Sequence, residues 1–163
     1  GLVGSEMCIR DRSLHALVLG EHGDSAVVSW SSACVGATCI EEFAAGIGRP
    51  LTSEIKAHIA EDVVQIAYRI YHGKKATYYG IAGALSTICK AVAKNERRVL
   101  TVSSLHKNIE GLQNVCLSLP SVVGAGGVGN TLQPSLSADE LKKLRDSAEI
   151  LCKVQQQACS QLS

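Results

Sequence analysis

Aromatic residues are scarce in this sequence of 163 residues, at 4% of the total, and only three prolines occur. Val, Ile, Leu and Ala must therefore fill most of the core, and the length suits one domain. Neither sign of charge is in marked excess, since the formal net charge is +1. No basic run interleaves with aromatic residues. Nucleic acid and anionic membranes are therefore poor candidates for partners.

Long apolar runs are lacking too. No segment approaches the ~18 residues that a membrane helix needs, and the N-terminus has no stretch typical of a secretory signal. The seven cysteines form no CxxC pair; they are Cys8, Cys34, Cys39, Cys89, Cys116, Cys152 and Cys159. An odd number at irregular spacing argues against a disulfide framework. We therefore expect reduced, buried thiols and a cytoplasmic protein.

The first 13 residues, GLVGSEMCIRDRS, differ from the rest of the chain. They show no clear period and end in mixed charge. We interpret residues 1–13 as a non-native leader that resembles translated adaptor sequence; a disordered terminus is the alternative. Residues 14–163 then form the domain.

The hydrophobic pattern from residue 14 onward predicts strands, two helices, more strands and a final helix. The predicted strands are residues 14–19, 25–35 (continuing over 37–43), 98–103, 115–123 and 131–136. Apolar residues recur every three or four positions from Ile55 to Ile70 and from Ile81 to Val92, which predicts two helices. This order predicts an α+β fold with a mostly antiparallel sheet and no repeating βαβ units.

Local signals refine the helices. His72-Gly73 should end the first helix. Gly80 and Gly83 lie inside the second and each costs roughly 1 kcal/mol relative to Ala, so we expect a close approach by another helix or a ligand. Ser137-Ala138-Asp139-Glu140 is a capping box that opens the last helix. Its predicted inner stripe is Leu141, Leu144, Ala148, Leu151 and Ala158.

Residues 124–129, GAGGVG, match the GxGxxG pattern of dinucleotide-binding turns. That pattern works only when a helix follows at once and its N-terminus receives the pyrophosphate. Here Thr131, Leu132 and Pro134 continue as strand, and no parallel βαβ unit surrounds the glycines. We therefore predict a glycine-rich hairpin turn at this position.

Residues 19–25, LGEHGDS, interrupt two predicted strands, where a loop can present side chains at a sheet edge. A lone loop histidine is more often a surface residue than a catalytic one, so His22 needs further support. Glu21, His22 and Asp24 supply one nitrogen ligand, with His15 across a strand, and no metal site is predicted.

The LGEHGDS segment, preceded by LHALV, resembles the catalytic loop of L-lactate dehydrogenases. Further similar segments follow in the family's order: KATYYGIA at 75–82, NERRV at 95–99, LSLP at 117–120 and the closing helix. The resemblance covers about residues 14–162. It implies a C-terminal, substrate-binding domain of the bacterial type in the lactate/malate dehydrogenase superfamily, with the Rossmann domain that binds most of NAD absent.

By this resemblance, His22 is the proton donor and acceptor in the interconversion of pyruvate and L-lactate. The residue type fits, because histidine can give a proton to a developing alkoxide near neutral pH and take it back. Thr77 matches a threonine that lines the substrate pocket, and Ile81 an apolar residue against the nicotinamide ring. On sequence alone, a helix-starting threonine is the better explanation of Thr77, and a core isoleucine explains Ile81 equally well.

His15 matches a histidine that helps hold fructose 1,6-bisphosphate between subunits, although an ordinary strand histidine is an equal alternative. The resemblance also implies a homotetramer. The aspartate that orients the histidine and the two arginines that hold substrate would precede residue 14, so this chain alone should be inactive.

Two other functions stay open. A malate dehydrogenase of the same superfamily is the nearest, although Thr77 favours lactate. A non-catalytic phosphate-binding module is the other, and it requires a helix beginning near Gly129.

Overall fold

The computed structural model describes residues 13–109 and 111–161. The elements are β1 (Leu14–Leu19), β2 (Val27–Val35), β3 (Thr38–Cys39), α1 (Ile40–Gly46), α2 (Ser53–Lys74), α3 (Tyr79–Ala93), β4 (Arg98–Ile109), β5 (Leu112–Gly124), β6 (Gly127–Thr131) and α4 (Ala138–Ser160). The strands form two antiparallel sheets, β1-β2-β3 and β4-β5-β6. This confirms the predicted α+β class with antiparallel pairing. The predicted leader falls on residues 1–12, which lie outside the described residues, and on Ser13.

The two sheets meet where β1 ends. Gly20 and Ser118 exchange two backbone hydrogen bonds, each 3.0 Å from nitrogen to oxygen, which joins β1 to the middle of β5. The main core lies beside this junction and contains Leu19, Val115, Leu117, Leu119, Leu144 and Ala148. The loop that carries His22 therefore begins beside this core.

Helix α4 starts with the predicted capping box, since Ser137 and Glu140 each accept a hydrogen bond from the other's backbone N–H. Leu144 and Ala148 are buried as predicted, and Leu151 is half-buried. Leu141 and Ala158 are exposed, so that part of the predicted stripe is wrong. Glu140 and Ser147 are buried in addition; Glu140 has hydrogen-bonding partners in β2, and Ser147 has partners in the loop between β1 and β2.

Two strand predictions need correction. The predicted strand over 37–43 is wrong beyond Cys39, because helix α1 begins at Ile40 and buries Ile40 and Ala44, one turn apart. The third strand of the second sheet is Gly127–Thr131 and not residues 131–136. Its pairing with β5 ends as Leu132 donates to the Pro120 carbonyl at 2.7 Å.

The glycine-rich segment is the predicted hairpin. Val123 pairs with Val128 and Gly124 with Gly127, which leaves a two-residue turn between β5 and β6. Gly127 has a φ of +85°, which favours glycine. The strand runs on to Thr131 and the next helix starts at Ala138, so the helix near Gly129 that a phosphate-binding module requires is not present.

Helices α2 and α3 are formed but little buried. Helix α2 ends at Lys74, one residue beyond the predicted His72-Gly73 end, and Lys75 caps it with a φ of +61°. No residue of α2 is buried, and Ala91 is the single buried residue of α3. A Cβ on Gly80 or Gly83 would meet nothing within 4 Å, so no other helix of the described residues approaches these glycines, and the approach of a ligand stays a prediction.

The cysteines also depart from expectation. Cys39, Cys89, Cys116 and Cys159 are exposed, and Cys34 and Cys152 are half-buried, so the prediction of buried thiols is wrong for these six cysteines. Cys8 lies outside the described residues. Within residues 13–109 and 111–161, no helix is both long and apolar enough to cross a membrane.

Candidate active site

The loop between β1 and β2 carries His22, whose side chain is exposed. It leaves β1 through Gly20, which has a φ of +90°. A Cβ added to Gly20 would lie 2.6 Å from the Ser147 Oγ of α4, so glycine is required both by the backbone and by the space. The loop therefore starts in direct contact with the helix behind it.

Ser147 holds both sides of this loop. Its side chain is fully buried, and its Oγ accepts a hydrogen bond from the Glu21 N–H at 2.8 Å. The Ser25 Oγ lies 3.0 Å from the same oxygen, and the Ser25 hydroxyl also donates to the Glu21 carboxylate. His22 lies between Glu21 and Ser25, so this hydrogen-bond network holds the loop on both sides of the histidine and leaves its side chain exposed.

Asp24 connects the loop to α2. The Tyr68 hydroxyl donates to Asp24 Oδ1 at 3.2 Å. The Asp24 carboxylate, by accepting this hydrogen bond, raises the pKa of Tyr68. Asp24 is thus engaged with α2, and among the described residues His22 itself takes part in no hydrogen bond or ion pair.

Thr77 and Ile81 lie at the far end of α2. Thr77 is exposed in the link between α2 and α3, and Ile81 is 52% exposed in the first turn of α3. The structure attaches this segment to the His22 loop through α2, whose Tyr68 is bonded to Asp24. Within the described part of the chain, no hydrogen bond joins His22 directly to Thr77.

His15 is separate from these residues. It is exposed on β1, opposite Cys34 of β2. The predicted absence of a metal site was based on ligand types. Across residues 13–109 and 111–161, no group of three or more His, Cys, Asp and Glu side chains is arranged to hold a metal ion.

Glu140 supports β2, the strand that follows the His22 loop. The pairing of β1 with β2 is irregular between His15 and Leu17. There, the Trp30 and Ser31 N–H groups donate to Glu140 Oε1 at 2.7 and 3.0 Å. Burial raises the pKa of Glu140, but hydrogen bonds from Ser137, Ser31 and Trp30 outweigh it and hold the pKa below its ordinary value.

Sequence reasoning missed the supporting roles of Ser147, Tyr68 and Glu140. One signal was available: Ser147 follows Leu144 by three residues and precedes Ala148, so it falls on the predicted buried face of α4. A polar side chain on such a face needs a partner. Nothing in the sequence indicated that the partner would be the His22 loop.

Known proteins match this chain over most of its length. Residues 2–161 match the family model described as lactate/malate dehydrogenase, alpha/beta C-terminal domain. The L-lactate dehydrogenase of Thermus aquaticus is 47% identical over 150 residues, which are 92% of this chain and 48% of that protein. The L-lactate dehydrogenase of Allorhizobium ampelinum is 43% identical over the same shares.

Solved structures give the same result. A lactate dehydrogenase from a Medee basin deep-sea metagenome library superposes with a TM-score of 0.84 at 40% identity, covering 89% of this chain and 46% of that one. The minor L-lactate dehydrogenase of Enterococcus mundtii has a TM-score of 0.84 at 35% identity, covering 91% and 47%. The chain spans about half the length of the curated relatives it matches. It belongs to the lactate/malate dehydrogenase family, and the part of that family it represents is the C-terminal domain.

Proposed function

We propose that this chain is the substrate-binding half of an NAD-dependent L-lactate dehydrogenase, which interconverts pyruvate and (S)-lactate. The observation that carries the proposal is the geometry of the LGEHGDS loop. Its histidine is exposed, while the residues on both sides of it are held to the buried Ser147. Fixed backbone around an accessible imidazole suits proton transfer, because such catalysis depends on the distance between donor and acceptor.

In this mechanism, His22 donates a proton to the oxygen that was the keto group of pyruvate and takes it back when lactate is oxidised. NADH, when bound, supplies the hydride that reaches the keto carbon. Thr77 contacts the substrate through its hydroxyl. Its exposure in the link between α2 and α3 leaves that hydroxyl accessible. Asp24 is bonded to Tyr68, so this mechanism assigns Asp24 no part in the proton transfer.

The residues present suit only one end of the cofactor. Ile81 offers a half-exposed apolar side chain, and the space near Gly80 and Gly83 is open, which suits contact with a planar ring. The glycine-rich segment is a hairpin and has no helix N-terminus for a pyrophosphate. We therefore assign Ile81 to the nicotinamide and the rest of NAD binding to residues outside this chain.

Further properties are proposed on the family resemblance. These are a homotetrameric, cytoplasmic enzyme and a fructose 1,6-bisphosphate site that includes His15. The exposure of His15 on β1 leaves it accessible to such an anion. Malate dehydrogenase activity is the second candidate because the matching family model covers both enzymes.

The test uses an assembled enzyme, made by replacing the matching half of the Thermus aquaticus enzyme with residues 14–161. The assembled enzyme should reduce pyruvate; a preference for oxaloacetate despite the half taken from a lactate dehydrogenase would favour malate. His22→Gln should lower kcat about 10²–10⁴-fold, because proton transfer is lost. NADH binding, followed by fluorescence, should persist.

The matched control is His58→Gln, which changes an exposed histidine of α2 that pairs with Asp62 at 3.4 Å. It should leave kcat unchanged. A His22→Gln enzyme that reduces pyruvate within about threefold of wild type, with the same pH profile, would contradict the role of His22 as the acid.

A further inference from the structure

We propose that Ser147 of α4 is the positioning residue for His22, holding the loop at both sides of the histidine so that its imidazole meets the substrate at a fixed distance. This inference rests on the proposed function for its catalytic consequence. It assigns to α4, a helix that carries no predicted site residue, a direct part in the geometry of proton transfer.

Burial makes Ser147 a strong anchor. Its side chain has no solvent exposure, so no water replaces a lost hydrogen bond. Its oxygen accepts from the Glu21 N–H at 2.8 Å and lies 3.0 Å from the Ser25 hydroxyl. A partly buried N–H without a partner is unfavourable, so the loop would have to shift if the hydroxyl were removed.

The two contacts bracket the histidine. Glu21 directly precedes His22, and Ser25 follows it by three residues. The Ser25 hydroxyl also donates to the Glu21 carboxylate, which closes the loop into a ring of hydrogen bonds. A ring of this kind restricts the loop backbone more than either contact could alone.

Shape supports the same conclusion. Gly20 passes so close to Ser147 that an added Cβ would lie 2.6 Å from its Oγ and 3.2 Å from its Cβ. Gly20 is also bonded to Ser118 of β5 on its other side. The start of the loop is therefore confined between a strand and a helix, and Ser147 forms the helix side.

The closing experiment compares Ser147→Ala with Ser121→Ala in the assembled enzyme described above. Ser121 is the matched control, because it is also fully buried and its Oγ also has two partners, the Leu119 carbonyl at 3.2 Å and the Thr131 hydroxyl at 3.1 Å. Both variants should lower the melting temperature. Ser147→Ala alone should lower kcat, by about 10- to 100-fold with little change in KM, because a misplaced acid slows the chemical step.

Ser25→Ala is the milder second variant, since it removes one contact and keeps Glu21 bonded to Ser147. It should lower kcat less than Ser147→Ala does, and the double variant should be no slower than Ser147→Ala alone. Amide hydrogen exchange of Glu21 in this chain alone provides a readout independent of activity, and it should accelerate in Ser147→Ala but not in Ser121→Ala.

Normal kcat in Ser147→Ala, with stability lowered as in Ser121→Ala, would overturn the positioning role while leaving the proposed function intact. Unchanged Glu21 exchange would also overturn it. A wild-type assembled enzyme that melts cooperatively but reduces no 2-keto acid would instead contradict the proposed function, and Glu21 exchange would still decide whether Ser147 holds the loop.

Discussion

The sheets with α4 and the helical pair α2–α3 are built from equally regular sequence patterns, but they are held in different ways. Val115 and Leu117 of β5 are fully buried against α4. Ile66 of α2 and Leu85 of α3 are more than half exposed, at 52% and 56%. A periodic apolar face therefore predicts a helix, but it does not identify what covers that face.

Helix α2 is linked to α1 and to the His22 loop by polar contacts. Lys56 is paired with Glu41, and Tyr68 with Asp24. Between α2, β2 and the start of α4 lies a groove of about 590 Å³. The proposed site is consequently divided, with His22 on the tightly packed part and Thr77 on the weakly packed part.

The largest expected difference in stability is between two truncations, one of an apolar side chain in the sheets packed against α4 and one in the pair α2–α3. Leu117→Ala should lower the free energy of unfolding of this chain by about 2–5 kcal/mol, since it leaves a cavity in the core. Ile66→Ala should cost less than about 1 kcal/mol, because its side chain is already half in water. Urea denaturation measures both. An equally large loss at Ile66 would mean that α2 is covered in solution.

Glycine-to-alanine changes should have opposite signs in the two parts. In Gly20→Ala, the alanine must adopt a positive φ, and its Cβ lies too close to Ser147. The change should destabilise the protein by about 1–3 kcal/mol. Gly83→Ala lies in a helix with open space around it and should stabilise by about 0.5–1 kcal/mol. The melting temperatures of the two variants and of the wild type measure both effects. Destabilisation by Gly83→Ala would show that another surface packs there.

Glu140→Gln should destabilise by about 1–3 kcal/mol near pH 7, because a charged acceptor of backbone N–H groups is lost. Since the folded-state pKa of Glu140 is lowered, its contribution is present above the ordinary value of 4.5 and is lost as the pH falls through the folded-state pKa. The variant and wild type should therefore converge in acid.

Asp139→Asn is the control for Glu140, because Asp139 is exposed and pairs with Lys143 at the surface. It should change stability by less than about 0.5 kcal/mol. Unfolding curves at several pH values provide the comparison. A constant difference between Glu140→Gln and wild type at every pH would show that the charge of Glu140 is not the cause.

The smallest effect concerns the hydrogen bond between the two parts. Asp24→Asn should lower the pKa of Tyr68, because the carboxylate that raises it becomes a neutral amide. Ultraviolet absorbance of tyrosinate follows the titration, with Tyr68→Phe identifying the signal. Tyr71→Phe, on the same helix, should leave the shifted titration in place. An unchanged titration in Asp24→Asn would mean that Tyr68 and Asp24 are not bonded in solution.

Local features of the fold could be predicted from the residue types alone. The strand at 14–19, the capping box at Ser137 and the hairpin at the glycine-rich segment were predicted correctly, because each depends on neighbouring residues. The prediction of a strand over 37–43 was wrong beyond Cys39. The spacing of Ile40 and Ala44 fits one turn of a helix as well as a strand, and in the structure both are buried on one face of helix α1.

The candidate site divides in the same way. Its residues were named from the LGEHGDS and KATYYGIA segments, whose roles still await the experiments above. The support for the loop could not be predicted, because Ser147 is 126 residues from Glu21 in sequence. No local pattern specifies which buried hydroxyl will face which backbone N–H.

For this protein, the sequence by itself determined the order of most helices and strands, the antiparallel α+β class and the position of the histidine loop. Tertiary structure alone decided that the loop is held by Ser147, that Asp24 binds Tyr68, and that the apolar faces of α2 and α3 are uncovered by the described residues. The reason is physical: turns and caps are set by adjacent residues, whereas burial and hydrogen-bond partners depend on distant segments that fill the same space.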